Sequence, residues 1–290
     1  MPNLKEIRNR IQSVGSTMQI TSAMKMVSAA KLKKAQDAVI QMRPYANKLK
    51  EILANLSATL DLSENSFAEN RGEGKVLIIG ITSNRGLCGG FNNNIIKRVG
   101  VLMNEDYAAK NVKVLCLGKK IKDIYKRTEN YYTNDTLTPL EDVFSDLTYE
   151  KVSSLADEIM RGFLAKEFDK VLLVYNRFVN AATQVVETEQ YLPVLPATST
   201  ENTNGDYIFE PGKQEIVGDL IPKTLKLQLF KGIRDSFAAE HGARMTAMHK
   251  ATDNAKELQR NLKLSYNKAR QAAITNEILE IVGGAEALNA

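Results

Sequence analysis

The sequence predicts a mixed α/β protein organised by two long helices: its N- and C-terminal segments form an antiparallel two-helix coiled coil, and an α/β domain is inserted between them. Three observations predict this. From Lys213 to Val282, apolar or small residues recur at Phe230, Phe237, Met248, Ala251, Ala255, Leu258, Leu262, Ala269, Ala272 and Leu279, with gaps of three, four or their sums, which is a helix seam. From Leu4 a second seam runs through Ile7, Ile11, Val14, Met18, Thr21, Lys25, Ser28, Leu32, Ala35, Val39 and Met42 to Leu60 in one unbroken phase. Between the two, short apolar runs alternate with helical patterns, the signature of a small sheet with parallel character.

Taken in order, the first helix opens at Asn3 as its cap, with Glu6 three residues on. Thr21, Lys25 and Ser28 interrupt its seam, and two readings stand: a locally loosened pair, or a length wrapped by another protein. Met24, Met26 and Val27 fall off the seam and face outward, where soft methionine suits a re-packing contact. Pro44 lacks a backbone donor and is expected to kink this helix. Asp61 to Gly74 is polar and without period, a linker. Val76 to Ile81 then reads as a buried strand, followed by the glycine-rich turn Ser83 to Gly90 and a helix opening near Asn92. Val112 to Leu117 is a second strand, Lys119 to Lys126 a helix, Ser153 to Lys166 an amphipathic helix, and Val171 to Tyr175 a third strand. Gln184 to Leu192 alternates as an edge or antiparallel strand does. Thr198 to Gly205 is a polar loop, and Asp206 to Phe209 a further short strand. The middle is therefore a Rossmann-like α/β domain. The last helix would be about 105 Å long at 1.5 Å per residue, so it needs a partner of similar length. Its end is expected at Gly283-Gly284. The chain divides into an N-terminal coiled-coil helix (1–60), an α/β domain (75–212) and a C-terminal coiled-coil helix (213–290).

Composition bounds the function. The longest apolar run, Val76 to Ile81, is far shorter than the about 20 residues needed to span a bilayer. The opening MPNLKEIRNR mixes charges of both signs and does not read as a secretory signal. Cys88 and Cys116 are the only cysteines, without a CxxC, which argues for a reducing compartment and against zinc. The net charge of +5 conceals a split: residues 3–58 carry +7 and residues 213–282 carry +4, so the remainder carries −6. Cationic helices of this kind imply partners of opposite sign along them.

Candidate chemistry is sparse. The turn Ser83 to Gly90 follows a strand, as phosphate-binding turns do, but it has neither GxGxxG nor GxxxxGK[ST] spacing, and a tight packed turn is the better reading. Cys88 reads as a small packed side chain. His241 and His249, eight apart on one helix, are about 12 Å apart by rise and do not share a metal; His241 falls on the seam phase as a packed or partner-facing residue. Glu277 and Glu280 are neighbouring carboxylates on a helix end, without a pocket around them. The basic residues lack interleaved aromatics and a docking motif, so nucleic acid is not expected. No catalytic, cofactor-binding or metal-binding residue is predicted.

Specific motifs go further. IRNRIQSVGSTMQITSAMKMVSAAKL, the turn SNRGLCGGFN, GARMTAMHKATDNAKEL and YNKARQAAITNEILEIVGGAEAL together resemble the gamma subunit of the rotary F-type ATP synthase. The family's end signature stands here as Ile274-Thr275-Asn276-Glu277, Glu280 and Gly284-Ala285. The resemblance covers the whole chain and is densest in the two helices.

The resemblance implies a non-catalytic rotor subunit in the central stalk of a proton-translocating ATP synthase. Its partners would be the alpha/beta hexamer around the shaft, the epsilon subunit and the c-ring, with no cofactor and no nucleic acid. It would be peripheral at the cytoplasmic face of a bacterial inner membrane, and needed for ATP synthesis and for regulating ATPase activity and proton flow. Carried over residue by residue, Met24 and Lys25 match the position beside an acidic lever of beta. Arg244 and Gln271 match residues that meet a catch loop on beta, and Thr275 and Glu277 match coupling positions, although plain helix surface is an equal reading for those two. Tyr207 and Glu210 resemble a loop facing the c-ring. The cysteine-bearing regulatory insertion of chloroplast forms has no counterpart, so thiol switching is not expected.

Overall fold

A computed structural model describes residues 4–59, 66–134, 142–144, 147–194 and 213–289. The chain separates into two compact units, Met1–Ser28 with Met245–Ala290, and Ala29–Arg244. Its elements in order are α1 (Leu4–Thr59), β1 (Lys75–Ile81), α2 (Phe91–Val101), β2 (Asn111–Leu117), α3 (Lys119–Tyr125), α4 (Tyr149–Leu164), β3 (Lys170–Phe178), β4 (Gln184–Leu192) and α5 (Lys213–Asn289). The expected polar loop at Thr198 to Gly205, the short strand at Asp206 to Phe209, the cap at Asn3 and the first part of the linker lie outside the described residues.

In the larger unit the four strands are ordered β2-β1-β3-β4, with β1 parallel to both β2 and β3, and β4 antiparallel to β3. β1 and β3 are buried on both faces, which is why their sequences are nearly continuous apolar runs. On one face Val76, Ile78, Leu172 and Val174 pack with Ile95 and Val99 of α2 and Ile121 and Tyr125 of α3. On the other, Leu77, Ile79, Ile81, Leu173 and Tyr175 pack with Val152, Leu155, Ile159 and Phe163 of α4 and with Ile221, Leu225, Leu229 and Ile233 of α5. The seam residues Leu32, Ala35, Val39 and Leu49 of α1 are buried, and Met42 packs against this second core. α1 runs unbroken through Pro44. The edge strand β4 is half-exposed along most of its length, as its alternation predicts.

Two glycines are required by close approach. A Cβ on Gly80 would collide with the side chain of Ile121, and one on Gly118, whose φ is 102°, would collide with the carbonyl of Thr82. The α3 layer sits directly on β1 only because neither residue has a side chain.

In the smaller unit α1 and α5 pair antiparallel. Thr252 Oγ1 lies 2.8 Å from Thr21 Oγ1 and Lys25 Nζ lies 3.3 Å from His249 Nδ1, while Gly15 faces Gln259 so closely that a Cβ would fall 2.9 Å from its amide nitrogen. Positions rise along one helix as they fall along the other, which fixes the direction. The α1 seam is as expected, with Ile7, Thr21 and Ser28 buried and Ile11, Val14 and Met18 half-buried.

The α5 seam differs from expectation. Leu258 and Leu279 are 50% and 63% exposed, so neither belongs to it. Beyond Met248 the least exposed positions as far as Leu262 are Ala251, Thr252, Ala255, Gln259 and Leu262, with Ala255 alone fully buried, so Gln259 stands half-buried where the apolar pattern points to Leu258. The reason lies opposite: Thr21 supplies a hydroxyl for Thr252, and side-chain-free Gly15 leaves room for Gln259. A second correction concerns the helix end. Gly283 and Gly284 do not stop α5, which continues to Asn289. Neither adopts the positive φ of a terminating glycine. A helical glycine costs about 1 kcal/mol relative to alanine, and the alanines and leucine that follow are strong helix formers.

His241 of α5 is buried edge-to-face against Phe237, with ring centroids 4.5 Å apart. Neither ring nitrogen has a hydrogen-bond partner among the described residues. Burial, reinforced by the charges of Lys31 and Arg244, holds its pKa down to about 4. The histidine is therefore neutral in the folded chain at pH 7.

Two outcomes are expected. Gly118→Ala should destabilise the larger unit by about 2 to 4 kcal/mol in denaturant unfolding, because strain and collision add; a loss within a few tenths would contradict the geometry. For His241 the native pKa lies below the ordinary 6.5, so the unfolded chain binds more protons between about pH 4 and 6.5 and stability falls as pH is lowered through that window. Between pH 7 and pH 5 the wild type should lose about 2 kcal/mol more than His241→Leu. Parallel profiles for the two proteins would refute it.

Candidate partner-binding surfaces

The segment of α1 around Met24 carries the most prominent exposed apolar side chains of the smaller unit's N-terminal half. Met26 and Val27 are 65% and 58% exposed, Ile20 is likewise exposed, and Met24 and Lys25 are half-buried. The polar trio beneath them is not a loosened stretch. Thr21 donates to the carbonyl of Met18 at 3.1 Å, Ser28 to that of Met24 at 2.7 Å, and Lys25 reaches His249 across the pair. Lys25 with His249 and Thr21 with Thr252 join the two helices here while apolar groups face outside, which makes this stretch a candidate interaction surface.

The far end of α5 is a second such surface. Extending the pairing of Gly15 with Gln259 and Lys25 with His249 places Leu4 opposite about residue 270, by equal rise on both helices. Past that point Ile274, Ile278, Leu279, Ile281 and Val282 are exposed. Gln271, Thr275 and Glu277 lie on this stretch, all exposed, and Thr275 Oγ1 donates to the carbonyl of Gln271 at 2.9 Å. That bond fixes the Thr275 hydroxyl on its own helix and leaves its methyl and the carboxylate of Glu277 outward.

Arg244 is placed differently. It is buried, and its guanidinium donates to Glu240 one turn back and to the carbonyls of Gly86 and Arg85 in the glycine-rich turn. Glu240 is pushed up by burial, an effect the ion pair with Arg244 opposes. The turn itself is closed by its own groups. Asn92 Oδ1 accepts from the Ser83 backbone at 2.9 Å and from its hydroxyl at 3.0 Å, and Asn92 Nδ2 donates to Cys88 Sγ at 3.2 Å. Cys88 and Phe91 pack on Ala239 and Ala243 of α5 beside Phe178. These are the bonds a bound anion would need, so the turn is a packed joint between β1, α2 and α5. The i, i+4 spacing of Glu240 and Arg244 was visible in the sequence; the distant carbonyls they serve were not.

Burial pushes both thiols up, Cys116 to about 12. Among the described residues no group of three or more His, Cys, Asp or Glu is placed to hold a metal, and no helix is long and apolar enough to cross a membrane. Tyr207 and Glu210 lie outside the described residues.

Comparison with known proteins gives the family. The ATP synthase family model matches residues 3–288. The ATP synthase gamma chain of Christiangramia forsetii is 60% identical over 290 residues, covering 100% of both chains, and that of Flavobacterium johnsoniae is 62% identical over 291 residues with the same coverage. Among solved structures, a chain of the Euglena gracilis mitochondrial ATP synthase rotor superposes with a TM-score of 0.65 at 20% identity, covering 93% of this chain and 98% of that one, which establishes the shared fold. A double seam with outward apolar faces, a sheet joined to the C-terminal helix through a closed turn, and full-length identity of this order have one reading: the chain belongs to the ATP synthase gamma chain family.

Proposed function

We propose that the chain is the non-catalytic central-stalk rotor subunit of a proton-translocating ATP synthase, transmitting torque between a membrane c-ring and nucleotide sites on an alpha/beta hexamer. The observation that carries this reading is the hydrogen-bonded antiparallel pairing of α1 with α5 beneath exposed Ile20, Met26 and Val27. A stiff pair with unlike faces can favour one conformation of a surrounding subunit over another, and only such differential contact shifts an equilibrium. The chain would act with alpha, beta and epsilon subunits and sit peripherally at the cytoplasmic membrane face, supporting ATP synthesis and regulating ATPase activity and proton flow. The chain's division for these roles is 1–60, 75–212 and 213–290.

Met24, Lys25, Gln271, Thr275 and Glu277 are the proposed beta-subunit contacts, and Tyr207 and Glu210 the proposed contacts to the c-ring. Arg244 is proposed to act at the catch loop of beta, and its place beside Gly86 gives it a second role, because it presents the Arg85-Gly86 corner while anchored to Glu240. Co-purification with alpha, beta and epsilon chains in a ratio of three, three and one tests the assignment, and its absence on expression with those chains would end it.

Arg244 variants separate the two roles. Arg244→Ala leaves a buried carboxylate unpaired and should cost the isolated chain about 3 to 5 kcal/mol, whereas Glu240→Leu with Arg244→Met should cost markedly less. If that double variant restores stability yet the assembled complex still pumps fewer protons per ATP, the residue also meets a partner. Full recovery of pumping would confine Arg244 to the joint.

A further inference from the structure

We propose that His249 is the positioning residue for Lys25, retaining its ammonium group while the imidazole is neutral and releasing it to an acidic partner when the ring takes up a proton. The release rests on the reading of Lys25 as a beta-subunit contact; the switch itself rests on one atom. His249 Nδ1 has two neighbours of opposite chemistry, Lys25 Nζ at 3.3 Å from α1 and Asp253 Oδ2 at 3.5 Å from the next turn of α5. An ammonium only donates, so the contact with Lys25 requires a bare Nδ1 lone pair and places the ring proton on Nε2. An ionised carboxylate only accepts, so the contact with Asp253 requires a proton on Nδ1.

Uptake of one proton from solvent at Nδ1 therefore ends the first contact and makes the second. The imidazolium repels the Lys25 ammonium and attracts the Asp253 carboxylate, the charged groups that face it from α1 and α5 respectively. The backbone need not move: one turn away the Thr252 hydroxyl lies 2.8 Å from that of Thr21, a contact that pins the two helices in register. Lys25 makes no ion pair among the described residues, and it stands beside the exposed apolar pair Met26 and Val27. A released ammonium is consequently available to a carboxylate on whatever covers that patch. The opposed pair of neighbours is what gives His249 a function.

The full chain tests the switch, and the assembled complex tests its consequence. In the full chain, the side-chain nitrogen resonance of Lys25 should inflect together with the His249 ring signals as pH is lowered. Two variants fix the end states: His249→Asn keeps an acceptor near Nδ1 that cannot be protonated, and His249→Leu removes it. Both should flatten the Lys25 titration, at different plateaus, with the Asn plateau matching the high-pH wild type. A flat Lys25 signal in the wild type, or an unchanged inflection in His249→Leu, overturns the proposal. In the complex, the ratio of wild-type to His249→Asn ATPase turnover should change by up to about fivefold between pH 8 and pH 6, the scale of an exposed contact. That pH-dependent change should vanish when Lys25→Met is introduced into both. A clear titration in the chain with a flat ratio in the complex overturns the release to a partner and, with it, the reading of Lys25 as a beta contact.

Discussion

An apolar helix seam left in water is the constraint on which this structure depends. α5 carries seam residues far beyond the length any α/β core of this size covers, so each part of it must find a different partner. Between Ile221 and Ile233 the partner is the sheet, where α5 forms one layer with α4. From Met245 the partner is α1, met by small and polar groups. Past the point opposite Leu4, Ile278, Leu279 and Ile281 are exposed among the described residues. A helix that exchanges one neighbour for another along its length and then exposes apolar residues carries a candidate interaction surface at its end.

The polar steps in the coil follow from the same constraint. A dry seam of large apolar residues would stabilise the pair most, yet Thr21, Lys25 and Ser28 sit in it and are all bonded, two to carbonyls of their own helix and one across the pair. The contacts that cross the pair, Lys25 with His249 and Thr21 with Thr252, fix register in a way that interchangeable apolar contacts do not. If the pair acts as the proposed rotor, its faces must keep a fixed relation, and register then matters more than the last increment of burial.

Legibility in the sequence tracked how local each determinant was. Both long helices, every described strand and the antiparallel edge were readable because period and apolar runs are local signals, and β4 showed its half-exposed alternation directly. The α5 seam was misplaced by one residue at Leu258 because its choice depends on what stands opposite: Gly15 makes room for Gln259, and no pattern within α5 records that. Gly283 and Gly284 were misread for a related reason, since glycine ends a helix only when the chain has somewhere to turn. The proposed partner positions on α5 rest on family motifs, and periodicity alone assigns Thr275 and Glu277 nothing beyond an exposed face. Arg244 shows the remaining gap: its exchange with Gly86 spans 158 residues of sequence and leaves no local trace.

The glycine-rich turn shows how a fold associated with ligands comes to serve as a joint. In open α/β sheets, ligands settle at the carboxyl ends of the strands where connections diverge to either side. Here β1 is that strand, flanked by β2 and β3, and the crevice at its end lies between the turn Ser83 to Gly90 and the loop after Phe178. Cys88, Phe91 and Phe178 close it against Ala239 and Ala243. Gly242 lets α5 pass so near that a Cβ there would lie 3.3 Å from Phe178 and 3.4 Å from Ala181. Small residues on α5 take the volume a ligand would occupy, and Arg244 takes the carbonyls at its rim. The crevice is the place where a sheet of this topology grips most firmly, and in this chain what it grips is the helix.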